Sequence, residues 1–456
     1  MTKGKTIDML GGSLAKNMIR FALPILLMGI MQQLFIACDD MAILGIFVGD
    51  TALAAVGGTA CLINLFVNTF TGFSVGANVV AAQHIGAGDG ERTSKTVHTS
   101  IALSLILGLV LVIVGVSSSE SLLILLKTPS DIVEMSTLYL QIYYFSTPAT
   151  LIFSFGSAIL NAKGNSRSPF LYLTISGCSD VVLNLFFVLV CGMDVDGVAL
   201  GTVLSQCLSA ILIIQKLMRE TDACKLQWRK LKIDLPSLKK VLKIGVPAGV
   251  NCMVFSISNM LIQGAINSFG SLAVAGCSAS ATVENFVYTS VCAVSTTATS
   301  FTGQNYGAGR YDRIPKIIKW GLLYGTVIAT VLGGALLLVG KPLLSLFLKE
   351  QESIDFAMLR STILFLPYAV CAVMDQLPGI MRGMGRPIAP MIVALSGACI
   401  FRIIWLYTIF AAYPTPTVLF LGFPVSWTIT AIAHSICLAV AMKKLRKNAR
   451  AQAECD

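Results

Sequence analysis

Asp40, Asp180, Glu284, Asp375 and Arg402 fall inside long apolar stretches of the chain. Charge is expensive in that setting, so each is read as a functional position by default. Gln33 stands seven residues before Asp40 and shares its helical face, whereas Asp39 points elsewhere. Asp180 and Asn184 are i,i+4 neighbours, and Ser176 completes their stripe. Asn64, Asn68, Thr71 and Asn78 follow helical spacing in an earlier stretch, and Ser256, Asn259, Gln263 and Asn267 do so in a later one. Glu284 is followed one turn on by Tyr288. Carboxylates and amides gathered in low dielectric suit the binding of H+, Na+ or an organic cation. Two plainer readings stand beside this one. The amides hydrogen-bond between helices, at about 0.6 kcal/mol apiece, or Arg402 forms a structural ion pair with Asp375 or Glu284. The lone His84 and His434 read as packing residues, despite the titration range of histidine.

The elements that must hold these residues are membrane spans. The chain of 456 residues is 55% apolar and 12% charged, against about 25% charged in ordinary soluble domains. A soluble fold of this length could not hide so much apolar surface, and disorder is excluded for the same reason. Twelve runs of about 20 or more predominantly apolar residues lie near 18–47, 52–82, 95–117, 131–160, 168–191, 197–218, 241–268, 272–302, 314–339, 354–381, 387–411 and 420–442. Pro24, Pro148, Pro247, Pro367 and Pro378 inside them suggest kinks. The first run is too long for a signal-peptide core and is expected to stay as a span.

The net charge of +10 is set by position. Of the 33 Lys and Arg, Lys127, Lys341 and Lys349 fall in loops of one side, Arg360 and Arg402 inside spans, and all others on the side of the N-terminus. That bias puts both termini in the cytoplasm and explains the positive charge without nucleic acid. The thirteen cysteines show neither C-x-x-C nor paired ligand spacing, so neither a disulfide framework nor a metal site is expected.

The text of the chain repeats. Gln83-His-Ile-Gly-Ala-Gly88 recurs as Gln304-Asn-Tyr-Gly-Ala-Gly309, and Pro24, Pro148, Asn161-Ala-Lys-Gly164 and Pro169 have counterparts at Pro247, Pro367, Arg382-Gly-Met-Gly385 and Pro390. Six spans per repeat give both halves the same orientation, a known transporter plan with the site between halves. The expected domains are a six-helix bundle over 1–218, a cytoplasmic linker over 219–240, and a second bundle over 241–456 with a basic tail. The fold class is thus an all-α polytopic membrane protein, two bundles of six helices related by a pseudo-twofold axis along the membrane normal.

These residues resemble the multidrug and toxic compound extrusion (MATE) family. The likeness rests on Ala22-Leu-Pro24, Asp40 with Gly45 and Gly49, Ala52-Leu-Ala-Ala-Val-Gly57, both Gln-x-x-Gly-Ala-Gly motifs and Gly197-Val-Ala-Leu-Gly-Thr202, and it covers about 14–445. It implies a monomeric exporter in a cell's inner membrane that trades inward H+ or Na+ for outward organic cations, with the lipid bilayer as its surroundings and no other cofactor. It also implies an ion-coupling site at Asp40, Asp180 and Asn184, although here the acid precedes the amide in the pair. The seventh span lacks the glutamate that some members carry, and Glu284 and Asp375 are the available substitutes. Gln33, Asn64, Asn68, Asn259, Gln263, Glu284, Tyr288, Asp375 and Arg402 are the expected lining of the substrate cavity.

Physically, Asp40 and Asp180 close together would repel, and an entering ion would relieve that repulsion and let the first and fifth spans repack. A ligand shifts such an equilibrium only through differential affinity for the two states. The alternative function is a flippase for lipid-linked oligosaccharide or peptidoglycan precursors. Its anionic cargo would want Arg and Lys, whereas the spans offer acids at 40, 180, 284 and 375 against mainly Arg402. An enzyme is not expected: H-E-x-x-H and Walker A patterns are missing, and no loop has room for a soluble catalytic domain.

Overall fold

In the computed structural model of the chain, residues 6–37, 43–44, 47–126, 128–130, 132–345 and 348–453 are described, and those residues hold helices and no strands. The first half runs α1 (Leu14–Ala37), α2 (Asp50–Gly86), α3 (Gly90–Leu125), α4 (Val133–Tyr144), α5 (Thr147–Lys163), α6 (Arg167–Leu185) and α7 (Val195–Met218). The second runs α8 (Leu235–Asn267), α9 (Ser271–Gly307), α10 (Ile314–Leu338), α11 (Gly340–Leu344), α12 (Gln351–Phe365), α13 (Tyr368–Gly383), α14 (Ile388–Ala394), α15 (Phe401–Trp405) and α16 (Pro416–Ala453).

Over their described residues the expected spans are predominantly helical. Nine helices among the described residues are long and apolar enough to cross a bilayer, and α12 with α13 makes a tenth, bent by 53°. That bend falls at Leu366-Pro367, where proline removes a backbone donor. The fourth expected span is likewise divided into α4 and α5 next to Pro148. The eighth, α9, is continuous but interrupted by Ser and Thr, which lower its apolarity. The fold is all-α and polytopic, with the twelve-span plan in two bundles.

The repeat persists in the backbone. α2 and α9 are each 37 residues and start 221 positions apart. Gly88 and Gly309, which follow them, have φ of 70° and 69°, and Gly164 and Gly385 have 97° and 75°. π-helical turns at Phe186–Val190 and Leu406–Phe410 occupy matching places in the fifth and eleventh spans.

The chain forms two compact units, residues 1–7 with 27–249 and residues 8–26 with 250–456. This division departs from the expected one in two ways. The segment 219–240 lies within the first unit, and residues 8–26 lie within the second. The crossovers fall close to Pro24 on α1 and Pro247 on α8. In the first unit α8 crosses α2 at backbone contact: a Cβ on Gly72 would sit 2.8 Å from Gly249 Cα, and one on Gly245 would sit 2.6 Å from the Phe73 carbonyl oxygen. Gly72-x-x-x-Gly76 and Gly245-x-x-x-Gly249 are both small-xxx-small motifs of the kind that lets membrane helices approach closely. In the second unit the early part of α1 packs on α9. There Phe21 meets Phe301 edge-on at 5.8 Å, and Asn305 Nδ2 donates to the Met9 carbonyl at 3.0 Å.

The segment after α7 is tied down. Lys163 Nζ pairs with Glu220 and Asp222, and Lys216 Nζ pairs with Glu220 at 2.8 Å. The Gln227 N–H donates to His98 Nε2 and the Asp234 N–H to Thr99 Oγ1, both at 3.0 Å. Burial pushes the Glu220 carboxyl up, but the Lys163 and Lys216 ammonium groups bonded to it outweigh burial and hold it below the usual carboxylate range. A carboxyl depressed in the folded state stabilises above its unfolded pKa and loses that contribution as pH falls through the folded value. Glu220→Gln is therefore expected to cost about 1–2 kcal/mol at pH 7, with the difference from wild type shrinking below about pH 4. Unfolding of both proteins across pH 3–7 measures this, and a pH-independent difference would remove the ionic origin.

Candidate functional site: polar groups within the spans

In the first unit, Ser176, Asp180 and Asn184 are buried along one face of α6. The Ser176 hydroxyl donates to the Ser205 carbonyl on α7. Gly201 on α7 leaves the space that the Asn184 amide fills, so that even a methyl there would collide with it. Asp180 is 8% exposed and Asn184 is fully buried.

Asp40 and Asp39 lie outside the described residues. The described residues nearest to it are Ala37 before it and Ile43 after it. Before it, the Phe35 ring of α1 packs on Gly177, three residues ahead of Asp180. After it, Ile43 and Leu44 share an apolar core with Val181, Leu185 and Val188.

The amides of α2 divide between the two readings open to the sequence. Asn78 is buried and donates to the Ala158 carbonyl of α5 at 2.9 Å, an interhelical bond. Asn64 and Asn68 are exposed and reach each other one turn apart at 3.5 Å. Gln33 on α1 is partly buried.

In the second unit, Asn259 and Gln263 are exposed on α8, and Gln263 Nε2 donates to Asn267 Oδ1 at 3.1 Å. Tyr288 on α9 is 42% exposed. Glu284 forms an ion pair of 2.5 Å with Arg360 of α12 and accepts from the Tyr368 hydroxyl at 3.3 Å. Arg360 also donates to Ser280 Oγ at 2.9 Å. Asp375 on α13 accepts only a weak donor, the Cys292 thiol at 3.5 Å, and has no Lys or Arg within 4 Å among the described residues.

The structural ion pair expected of Arg402 is therefore made by Arg360 instead. Arg402 donates through Nε to Ser426 Oγ at 2.9 Å, and its guanidinium carbon lies 4.4 Å from the centroid of the Phe423 ring. This also corrects the charge count. With Arg360 and Arg402 against Glu284 and Asp375, the spans of the second half carry no acidic excess. Arg360 was visible in the sequence as a charge inside a span, but 76 residues separate it from Glu284, and no periodicity links two helices that meet only in the fold.

Helices of this length and apolarity, built twice and holding buried ionisable groups, define a polytopic membrane transporter. The chain belongs to the MatE family, whose profile matches it twice, over residues 24–189 and 247–408. The two matches fall one in each copy of the internal repeat. The chain is 26% identical over 392 residues to the protein named "Probable multidrug resistance protein YoeA" of Bacillus subtilis (strain 168), covering 84% of each chain. Its fold is that of a MOP superfamily transporter from Pyrococcus furiosus Vc1, whose structure is described as having a binding pocket of reverse polarity, with a TM-score of 0.91 at 20% identity over 98% of this chain and 100% of that one. It is equally that of a multidrug resistance MATE family transporter solved in an outward-facing conformation, with a TM-score of 0.90 at 20% identity and the same coverage.

Proposed function

We propose that the protein is a secondary multidrug efflux antiporter that exports organic cations in exchange for H+ or Na+. It acts as a monomer in the cell membrane with both termini cytoplasmic. The observation that carries this reading is the bracketing of Asp40. Phe35 before it packs on Gly177 of α6, and Ile43 and Leu44 after it share an apolar core with Val181 and Leu185 of α6. That placement supports a shared site for Asp40, Asp180 and Asn184. Two carboxylates there repel when empty and accept one small cation, so ion occupancy sets how tightly α1 holds α6. An organic cation competes for the same negative charge, which makes ion entry and drug release exchange for one another. The printed names of the relatives, multidrug resistance and export proteins, support this direction of transport.

Most of the remaining polar residues fall into two groups under this reading. Gln33, Asn64, Asn68, Asn259, Gln263 and Tyr288 are accessible and suit a cavity wall. Glu284 is committed to Arg360 and is structural.

The test uses purified protein in sealed vesicles with an ethidium-type dye. A proton gradient and a sodium gradient are imposed separately, the other being collapsed. Dye movement driven by either gradient supports antiport and names the ion. Dye movement indifferent to both, together with gradient-independent translocation of a pyrophosphate-linked lipid, would turn the assignment to the flippase.

A further inference from the structure

The segment that joins α7 to α8 has two faces. Cys224 and Leu226 are buried in a core with Val97 and Ile101 of α3, and Leu231 packs against the same core. The Gln227 and Asp234 N–H groups, bonded to His98 and Thr99, fix the segment there. The other face carries Trp228, Ile233 and Leu235, which are 55%, 41% and 64% exposed. Single exposed apolar residues are ordinary. These three fall within eight positions of a segment whose packing other residues already supply.

Around them the charge has one sign. Between Ala223 and Gly249 the chain has seven Lys and Arg and one acid, Asp234. All seven basic side chains are exposed, and none is in an ion pair among the described residues. The Asp234 carboxylate is spent at the start of α8, where it accepts the Ser237 N–H at 2.9 Å as an N-cap.

α8 carries this surface into a membrane span. Leu235, Lys239, Lys243 and Val246 are exposed and share one helical face, about 16 Å long at 1.5 Å per residue. Along that face an apolar residue of the span gives way to lysine within one turn. Nucleic acid would match the positive charge but gives an indole and two aliphatic side chains no partner. A phospholipid leaflet matches both. Lys and Arg clustered beside a span attract acidic headgroups, and Trp is enriched at headgroup level. Basic residues interleaved with Trp and aliphatic side chains suit the boundary between headgroups and acyl chains. Continuity with a span favours the leaflet over an acidic protein.

We propose that residues 225–243 form a surface that docks on acidic phospholipids, with Trp228, Ile233 and Leu235 at the headgroup boundary and the flanking Lys and Arg on the phosphates. The inference does not depend on the antiport reading.

The full-length protein is placed in phosphatidylcholine nanodiscs containing a minor share of lipid with a nitroxide at the top of one acyl chain. The labelled lipid is either phosphatidylglycerol or phosphatidylcholine. The Trp228 emission is taken as the difference between wild type and Trp228→Phe, which keeps the other three tryptophans. Labelled phosphatidylglycerol is expected to quench it at about fivefold lower mole fraction or less than labelled phosphatidylcholine. The triple variant Arg229→Gln/Lys230→Gln/Lys232→Gln is expected to lose that preference. Equal quenching by the two lipids, or an undiminished preference in the triple variant, overturns the proposal. So does polyglutamate that removes the preference while leaving Trp228 unquenched by either lipid, which turns the surface to an acidic protein. Should the triple variant fail to fold, wild type decides alone. A preference that falls as sodium chloride rises from about 0.1 to 0.5 M supports the surface, because exposed charges are screened, and a preference indifferent to salt overturns it.

Discussion

Asp180→Asn is expected to lower gradient-driven dye efflux about tenfold or more, within the 5–150-fold range of coupling between ligand sites, while leaving the protein folded. The substitution keeps the size and planarity of the group and removes only its charge. Asp180 sits on the buried face of α6 with Asn184 and Ser176. An amide there can still hydrogen-bond, so the packing of α6 against α7 through Asn184 and Gly201 is preserved. Under the proposed antiport, what is lost is one of the two negative charges for which ion and drug would compete. Residual dye movement in the variant should become insensitive to the imposed gradient, because one remaining carboxylate cannot be both released and repelled. Asp180→Glu should restore part of the gradient dependence. Initial efflux rates in sealed vesicles, read beside melting midpoints, measure this. A wild-type rate and wild-type gradient dependence in Asp180→Asn would remove the α6 carboxyl from the mechanism.

The sequence disclosed those parts of the structure that rest on composition and period. The described residues of the apolar runs are largely helical because length and apolarity leave the backbone no other way to satisfy itself in lipid. The repeat was legible because glycines that must adopt positive φ, such as Gly164 and Gly385, cannot drift in type. The breaks next to Pro148 and Pro367 followed from the missing proline N–H. The glycine crossing of α2 and α8 was present in the text as two small-xxx-small motifs, yet it went unread, because a motif names a sticky face and not its partner. The ion pair of Glu284 with Arg360 and the contacts of Arg402 with Ser426 and Phe423 were not legible at all. Which of two acids meets which of two arginines depends on the rotation and tilt of four helices, and no single-helix pattern carries that information. The π-helical turns at 186–190 and 406–410 were hidden for a similar reason, since an inserted residue leaves apolar spacing almost unchanged. The division into units departed from the expected boundary because the expectation followed covalent order, and α1 and α8 each serve both units.

Breaking the Glu284–Arg360 pair is expected to have the largest effect on stability. The side chains are 17% and 9% exposed, and the 2.5 Å contact joins α9 to α12. Glu284→Gln leaves a guanidinium buried with Ser280 as its main partner, at a cost of about 3 kcal/mol or more, because a stranded buried charge is worse than a missing pair. Arg360→Met strands the carboxylate, which keeps only the Tyr368 hydroxyl, and should cost a similar amount. The double variant Glu284→Leu/Arg360→Met removes both charges and is expected to recover most of the loss, since apolar replacements of a buried pair are often neutral or better. A double-mutant cycle on unfolding free energy isolates the coupling. Single variants within about 0.5 kcal/mol of wild type, the ordinary range of surface substitutions, would show the pair to be screened and expendable. The same variants settle the role of Glu284. If its carboxyl exists to neutralise Arg360, the double variant exports dye at a near wild-type rate; if it lines the drug cavity, efflux falls in every variant that lacks it, however well the fold is restored.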